Sequence, residues 1–329
     1  MVAQLGERRV RNAKVEGSIP FHSTNSPLRQ FNFAAAAAFA AWAAAGYAQS
    51  IEPRAYSNAP VGVNFLIAGY AYTSGGLSFD PALPITDDHI RTSSAVLAYA
   101  RTLDLWGNAG KIDMIVPYSE LDGNAAYAGQ PVQRHASGLV DPAMRISVNF
   151  YGSPALSLKD FSRYRPDLIV GASLQVSAPL GQYDSSRIVN LGSHRWSFKP
   201  ELGVSKTAGP WTLEAKAAST FFTDNRDFNG GKVRSQDPIY SVSGHAIYNF
   251  PSGIWASCDA TYFAGGRSTI DGARANDLQQ NWRAGATLAF PVDRLNSIKI
   301  YASTGLSART GNSFDLIGIG WQTRWGGGL

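Results

Sequence analysis

The stretch LIVGASLQVSA (168–178) decides the fold of this chain. Its even-numbered positions from Leu168 to Ala178 are apolar, whereas Ser173 and Gln175 between them are polar. Because successive side chains of a β-strand point to opposite faces, this stretch predicts a strand with one apolar and one polar face. A tilted strand of about 9–11 residues is long enough to cross a bilayer. An apolar outer face and a polar inner face are typical of a transmembrane β-barrel.

Similar stretches recur between Val61 and Trp325 and predict the whole barrel. Each has about ten residues of alternating character and ends in a turn, as transmembrane strands do. The predicted strands cover residues 61–74, 90–103, 109–120, 139–151, 166–178, 194–206, 211–223, 237–250, 254–264, 279–290, 297–308 and 314–325. An even number of strands is expected in a single-chain bacterial barrel. We therefore predict an all-β fold, a transmembrane antiparallel up-and-down β-barrel of about twelve strands and of the bacterial outer-membrane type, over residues 61–325.

The connections between the predicted strands alternate in length. The short turns are 208–210, 251–253 and 291–296, and the longer loops are 75–89, 121–138, 179–193, 224–236 and 265–278. Short periplasmic turns and long outer loops are typical of outer-membrane barrels, so both termini are predicted to be periplasmic. A longer connection at 152–165 and a short one at 310–312 are the exceptions. A large β-sandwich also alternates, but the strand length, the loop asymmetry and the signal peptide described below favour the barrel.

The composition excludes several other classes of protein. Charged residues make up 16% and aromatic residues 12% of the 329 residues, and soluble proteins usually carry more charge. Residues 1–30 hold five Lys and Arg against two Asp and Glu, which is +3 of the formal net charge of +5. The remainder is nearly neutral, so no nucleic-acid partner is predicted. Cys258 is the only cysteine, which excludes an intramolecular disulfide and a cysteine-based zinc site, and no cofactor is predicted.

The N-terminal region predicts an exported protein. Residues 33–48 read FAAAAAFAAWAAAGYA, an uncharged apolar run that follows Arg29 and ends in small residues. This pattern is typical of a secretory signal peptide, so residues 28–48 are predicted to be one, with cleavage near Ala48. Residues 1–27 have no periodicity and precede the signal peptide, which indicates a mis-annotated N-terminal extension.

Two short segments flank the predicted barrel. Residues 49–60 are predicted to form a periplasmic N-terminal segment, and whether this segment enters the lumen is left open. Residues 326–329 are predicted to form a short C-terminal tail after Trp325, although outer-membrane barrels usually finish on an aromatic residue.

The polar faces of the predicted strands line the lumen and carry charges of both signs. The predicted pore-lining residues are Arg145, Lys199, Glu201, Glu214, Lys216, His245, Asp259, Arg283, Lys299 and Arg324. Charges inside a barrel need a partner or water, so the mixed signs indicate ion pairs around a water-filled or partly plugged passage. The alternative is that these pairs simply fill the barrel, because twelve strands lie between filled barrels and open porins.

One short motif raises the alternative of an enzyme. His135 and Ser137 are two residues apart in a predicted outer loop, the spacing found in outer-membrane phospholipases, which are also twelve-stranded barrels. A nucleophilic serine needs a base that a third group orients, and no Asp or Asn partner is evident on an adjacent predicted strand. His245 has no serine at a motif spacing and is predicted to be a hydrogen-bonding residue of the lumen. The chain is therefore predicted not to be an enzyme.

Several long segments carry a likeness to a known family. They are GLVDPAMRISVNFYGSPALS (138–157), LIVGASLQVSAPLGQYD (168–184), SHRWSFKPELGVSKTAGPWTLEA (193–215), DATYFAGGRSTIDG (259–272) and IGIGWQTRW (317–325). Together they resemble the outer-membrane "MetA-pathway of phenol degradation" family, whose members are often labelled as transporters. The resemblance covers roughly residues 61–325 and implies a β-barrel for the uptake of phenol and related aromatic compounds. It transfers no binding residue to this chain.

Pattern and resemblance together predict an outer-membrane channel or transporter for the passive uptake of small aromatic or hydrophobic compounds. The predicted partners are outer-membrane lipid and lipopolysaccharide, the barrel-assembly machinery and the solute itself. The predicted location is the bacterial outer membrane. Two alternatives stay open: an outer-membrane lipid hydrolase of the phospholipase type, and a structural barrel without conductance.

Overall fold

A computed structural model describes residues 51–78, 85–127 and 129–329 of the chain. Its strands are β1 (Val63–Ser78), β2 (Ile85–Leu105), β3 (Asn108–Tyr127), β4 (Gln130–Leu139), β5 (Ala143–Tyr151), β6 (Leu168–Ser177), β7 (Ser197–Ala208), β8 (Trp211–Phe222), β9 (Asn225–Phe228), β10 (Lys232–Gln236), β11 (Ile239–Asn249), β12 (Trp255–Gly265), β13 (Ser268–Ile270), β14 (Ala273–Arg274), β15 (Gln279–Pro291), β16 (Asn296–Ser307) and β17 (Gly311–Gly326). The helix α1 (Leu158–Phe161) lies between β5 and β6. Among the described residues, no helix is long and apolar enough to cross a membrane. The predicted N-terminal extension (1–27) and signal peptide (28–48) lie outside these residues.

Most of the strands pair antiparallel into one closed ring. Its order is β1-β2-β3-β5-β6-β7-β8-β11-β12-β15-β16-β17, and β17 closes the ring on β1 from Val63↔Gly326 to Ser78↔Gly311. Closure gives each ring strand two neighbours for its backbone hydrogen bonds, which the interior of a bilayer requires. The predicted twelve-stranded barrel of the outer-membrane type is confirmed.

The strand β4 extends the ring beyond the predicted pattern. It pairs with residues 118–127 of β3, whereas β5 pairs with residues 110–115 of the same strand. Between β4 and β5, the Asp141 carboxylate accepts hydrogen bonds from the backbone N atoms of Gly181 (2.9 Å) and Ser193 (2.8 Å). Asp141 therefore holds the loop between β6 and β7 against the connection between β4 and β5.

The two ends of the barrel differ in their connections. At the short-turn end the strands are joined by residues 106–107, 209–210, 250–254 and 292–295. The opposite end, the long-loop end, carries a separate four-stranded sheet in the order β14-β13-β10-β9. The predicted loops 121–138, 224–236 and 265–278 therefore contain strands. The sequence pattern does not indicate them, because the alternation that lipid imposes on a strand ends at the border of the bilayer.

Burial in the ring is the reverse of that in a soluble protein. Leu202 on β7 and Val242 on β11 are 61% and 60% exposed, while Lys199 and His245 on the same strands are 9% and 3% exposed. A continuous apolar outer surface is stable against lipid and is a liability in water. The apolar face is thus the part of the molecule that fits the bilayer, and Cys258 lies exposed on it.

Aromatic side chains pair near both ends of the apolar surface. Near the short-turn end, the ring of Tyr248 lies 4.9 Å from that of Trp211 and 4.7 Å from that of Phe250. Toward the long-loop end, the rings of Tyr262 and Trp282 lie 5.0 Å apart. Tyr and Trp favour the headgroup level because they combine an apolar body with a polar tip, so the pairs mark the two borders of the bilayer.

Replacing Leu202 by Lys is expected to destabilise the barrel by about 2–4 kcal/mol, because the change puts a charge near the middle of the lipid face. The free energy of unfolding in liposomes, measured by urea titration, checks this. Leu180→Lys is the matched control, since Leu180 is 66% exposed in the loop between β6 and β7. An equal loss of stability in the two variants would contradict the assignment of the apolar face to lipid.

Candidate functional site

The predicted pore-lining residues all lie on the inward face of the ring. Those other than Glu201 are at most 9% exposed, and the side chain of Glu201 is 10% exposed. Their neighbours on the strand point outward, as Phe198 (39% exposed) and Leu202 show on β7. Lys199 Nζ lies 3.8 Å from Glu201 Oε2, so part of the expected pairing is present. Their role in conduction stays a prediction.

Residues 51–60 lie inside the lumen and form what we call the plug. Its polar members at most 4% exposed are Glu52, Arg54 and Asn58. The plug leads into β1 at the short-turn end, where the backbone N of Gly62 donates to the backbone O of Thr102 at 3.1 Å. The sequence predicts a periplasmic N-terminal segment at 49–60 and leaves open whether it enters the lumen, and the structure places its described part, residues 51–60, inside the barrel. Its position depends on contacts with distant strands, which no local pattern reveals.

Arg145 on β5 attaches the plug to the barrel wall. Its Nη1 and Nη2 atoms donate to the two carboxylate oxygens of Glu52 at 2.7 Å each, and its Nε donates to Asp113 Oδ2 at 3.2 Å. Lys216 on β8 donates from Nζ to the backbone O of Glu52 at 2.7 Å. A two-bond contact between guanidinium and carboxylate is among the strongest polar contacts in proteins. It also gives buried charges the partners that burial demands.

Arg54 attaches the middle of the plug to a second part of the wall. Its backbone N donates to Glu214 Oε2 on β8 at 2.6 Å. Its guanidinium lies 4.7 Å over the ring of Trp255 on β12, within the range of a cation–π contact. The plug is therefore held from β5, β8 and β12 at once.

Tyr56 is the aromatic side chain of the plug and is 2% exposed. Its hydroxyl donates to Glu201 Oε1 on β7 at 3.0 Å. Its ring lies against Gly171 and Gly203, which are register partners on β6 and β7. A Cβ atom at Gly203 would lie 2.1 Å from Tyr56 Cε2, and one at Gly171 would lie 2.4 Å from Cδ1. The two glycines thus leave a flat slot in the wall that the ring fills.

His245 belongs to a polar group beside the plug. Its Nδ1 lies 2.7 Å from Asp259 Oδ1, and the Ser257 hydroxyl donates to Asp259 Oδ2 at 2.9 Å. The residue types match a Ser-His-Asp triad, but the serine contacts the aspartate instead of the histidine. Because a nucleophilic serine must contact the base, this group is a hydrogen-bonding element of the lumen, which is the role predicted for His245.

Three of the predicted residues lie on the wall formed by β15, β16 and β17. Arg283 lies 3.9 Å over the ring of Phe314, and Lys299 lies 5.8 Å over the ring of Tyr301. Arg324, at the short-turn end, donates from Nη2 to a backbone O in the turn between β15 and β16 at 2.6 Å. The structure therefore spreads these three cations along the wall instead of bringing them together.

A cluster of buried apolar residues lies on the inward faces of β1, β2 and β3, beside polar residues such as Asp113, and the sequence analysis does not identify it. Its core residues, with one from β5, are Val63, Phe65, Ile67, Ala98, Ala100, Ile115 and Ala143. On β1 both faces are apolar, so alternation does not separate lumen from lipid there. The lumen consequently combines an apolar cluster with charged groups, a combination that suits solutes with an apolar body and a polar group.

Arg195 lies at the long-loop end of the lumen and is 8% exposed. It donates from Nη2 to the side chain of Gln236 and lies 4.3 Å over the ring of Phe222. Burial lowers the pKa of Arg195 to about 9, and the nearby positive charge of Arg234 contributes to this shift. The guanidinium stays charged at neutral pH, and the nearby carboxylates of Asp141 and Asp224 raise its pKa and so oppose the effect of burial.

A cavity of about 510 Å³ lies beside the plug at the short-turn end. Its lining includes Arg54, Asn58, Phe161, Tyr164, Asn249 and Phe250. Pockets for small molecules commonly have volumes of about 300–1,000 Å³ and combine apolar walls with a few polar groups. This end of the lumen therefore has room for a small aromatic solute next to the plug.

The proposed hydrolase pair lies on the exposed face of β4. His135 Nδ1 lies 2.7 Å from Asp122 Oδ1 on β3, so the expectation that no acidic partner stands on an adjacent strand is wrong. Both side chains are exposed, at 70% and 72%. Ser137 lies opposite Glu120, and within the described residues no hydrogen bond joins it to His135. The described residues also contain no group of three His, Cys, Asp or Glu side chains able to hold a metal ion.

A family model matches most of this chain. The family is described as MetA-pathway of phenol degradation, and the match covers residues 81–323. None of the curated proteins matches the chain.

One solved outer-membrane channel shares the fold, and two autotransporter barrels match more weakly. An outer membrane channel from Pseudomonas putida F1 has 17% sequence identity and a TM-score of 0.71, covering 84% of this chain and all of that one. The transport unit of the autotransporter AIDA-I from Escherichia coli has 8% identity and a TM-score of 0.49, covering 80% and 90% of the two chains. The β domain of the Bordetella autotransporter BrkA has 10% identity and a TM-score of 0.47, covering 80% and 99%. Only the first likeness is strong enough to support the fold.

Replacing Gly203 by Val is expected to loosen the plug, because the new side chain overlaps the Tyr56 ring. Overpacking of this kind costs about 1–3 kcal/mol, which corresponds to an increase of about 5- to 160-fold in the released population. The rate of tryptic cleavage after Arg54, which is 4% exposed, measures that population.

Gly244→Val is the matched control, since no atom lies within 4 Å of a Cβ built on Gly244. Equal cleavage rates in the two variants would contradict the contact between Tyr56 and the glycine slot.

Proposed function

Because the chain belongs to the family described as MetA-pathway of phenol degradation, we propose that it is an outer-membrane channel for the passive uptake of small aromatic or hydrophobic compounds. The match over residues 81–323 confirms the family resemblance seen in the sequence. The family description gives a degradation pathway and no transported solute, so the choice of solute class rests on the lumen of this chain. We place the long-loop end outside the cell and the short-turn end in the periplasm.

The plug is the observation that carries this proposal. Hydrogen bonds, an ion pair and ring contacts hold it in the lumen, and it adds no strand to the ring. It can therefore leave the lumen while every ring strand keeps both of its neighbours. The space that it vacates accommodates an aromatic ring, because Tyr56 already lies there.

The proposed transport is diffusion along a lumen that has apolar and charged regions. The apolar cluster on β1–β3 contacts the ring of a solute, and the charged residues of the lumen bind water and the polar group of the solute. Arg195 lies at the outer entrance, and the cavity beside Asn249 and Phe250 lies at the periplasmic exit. Uptake needs only the concentration gradient that degradation inside the cell maintains. The shared fold of the Pseudomonas putida outer membrane channel agrees with this proposal.

Glu52→Gln is expected to raise the conductance of the protein in planar bilayers. The change removes the charge that pairs with Arg145, and breaking a buried pair costs about 3–5 kcal/mol, enough to raise the open population by about 100-fold or more. The measurement is single-channel recording on the protein refolded from Gln49. Glu120→Gln is the control, since Glu120 is exposed on β3 and should leave the conductance unchanged.

Phenol and benzoate added to the open channel are expected to block the current for short periods while they pass. A folded barrel that shows no conductance, in the wild type and in Glu52→Gln alike, would contradict the channel and favour a structural barrel.

The contact between His135 and Asp122 keeps the hydrolase as a second candidate to be tested. We expect phospholipid hydrolysis by the refolded protein to stay at the background level of protein-free vesicles, because Ser137 lacks contact with a base. Release of fatty acid from phospholipid vesicles measures this. Hydrolysis by the wild type that disappears in Ser137→Ala would establish the hydrolase instead.

A further inference from the structure

The side chain of Tyr56 is itself a phenol group bound inside the lumen. It has the three contacts that recognition of a free phenol would need: a flat surface for one face of the ring, an acceptor for the hydroxyl, and exclusion from solvent. The flat surface is the pair Gly171 and Gly203, and the acceptor is Glu201 Oε1 at 3.0 Å. None of these three wall residues belongs to the plug, so the site remains when Tyr56 leaves it.

We propose that Glu201, Gly171 and Gly203 form a binding site for a neutral phenolic solute, and that Tyr56 occupies this site until such a solute displaces it. The inference rests on the proposed channel function and deepens it, because it assigns a solute class to a place in the lumen. Tyr56 acts as a tethered competitor of the solute in this arrangement.

The charge of Glu201 selects the chemical form of the solute. A carboxylate accepts a hydrogen bond from a neutral O–H group and repels a phenolate or a second carboxylate. Lys199 Nζ lies 3.8 Å from the other oxygen, Oε2, and helps to keep Oε1 turned toward the ring slot. A phenol is therefore favoured over its methyl ether, which has no O–H to donate.

The binding of solute is coupled to the release of the plug. Displacing the Tyr56 ring removes one of several attachments of the plug, while the contacts of Glu52 with Arg145 and of Arg54 with Glu214 remain. A tethered group competes at an effective concentration of the order of millimolar. A solute must reach a comparable concentration to loosen the plug, so the channel responds to abundant phenol and stays closed to traces.

The first test uses Tyr56→Ala, which vacates the slot and leaves the wall intact. We expect equilibrium dialysis to show phenol bound to this variant, with anisole (the methyl ether of phenol) bound about 10-fold or more weakly because it cannot donate to Glu201. Phenol should also raise the melting temperature of the variant. Tyr70→Ala is the matched control, since Tyr70 is exposed on the outer face, and phenol should not stabilise it beyond the wild type.

The second test uses the wild type and does not depend on the folding of a variant. We expect phenol to increase the rate of tryptic cleavage after Arg54 in a saturable manner, and anisole at the same concentration to have little effect. The proposal would be overturned if phenol and anisole had equal effects in both tests. It would also be overturned if phenol had no effect in both tests.

The phenol site and the channel function can be refuted independently of each other. Binding of phenol to Tyr56→Ala together with a complete lack of conductance would refute the channel and leave the site. Conductance with phenol passing freely, but without a preference for phenol over anisole in dialysis, would refute the site and leave the channel.

Discussion

The structure depends on one constraint: inside a bilayer, every backbone N–H and C=O group must find its partner within the protein. The pairing of β17 with β1 meets it, because this contact turns an open sheet into a ring without edges. The same contact fixes the plug, since β1 continues directly from it through Gly62. Ring closure thus sets the end of the plug that joins β1, and contacts with β5, β8 and β12 hold the rest of the plug in the lumen.

Closure also creates an interior in which charges have few partners, and the plug supplies some of them. Arg145 contacts the carboxylate of Asp113 on the wall and that of Glu52 on the plug. When the plug leaves, water must replace the contacts of Glu52, and hydration compensates for much of the lost ion pair. The closed state thus has ion pairs where the open state has hydrated charges. The free-energy difference between the two states is therefore small enough for a bound solute to change which state is populated.

The ring could be predicted from the sequence because each strand carries its own alternation, and the inward position of a residue such as Lys216 follows from it. The contacts of the plug could not be predicted, since they join Glu52 to residues far along the chain. The pair of Asp122 and His135 was missed for a related reason. Its two strands lie in what the sequence presents as a loop, and cross-strand partners follow from the register set by the hairpin, which alternation alone does not fix.

Two tyrosine rings of the lumen lie against glycines of the barrel wall, and the comparison between them shows what is special about the plug. A Cβ at Gly318 would lie 2.2 Å from Tyr301 Cζ, just as one at Gly203 would lie 2.1 Å from the ring of Tyr56. Tyr301 belongs to β16, so its ring cannot leave without breaking the barrel. Tyr56 belongs to a segment outside the ring, so its slot is a surface that the protein covers reversibly. The contact between a tyrosine ring and a glycine is therefore permanent for Tyr301, which belongs to a strand. The same kind of contact is reversible for Tyr56, which does not.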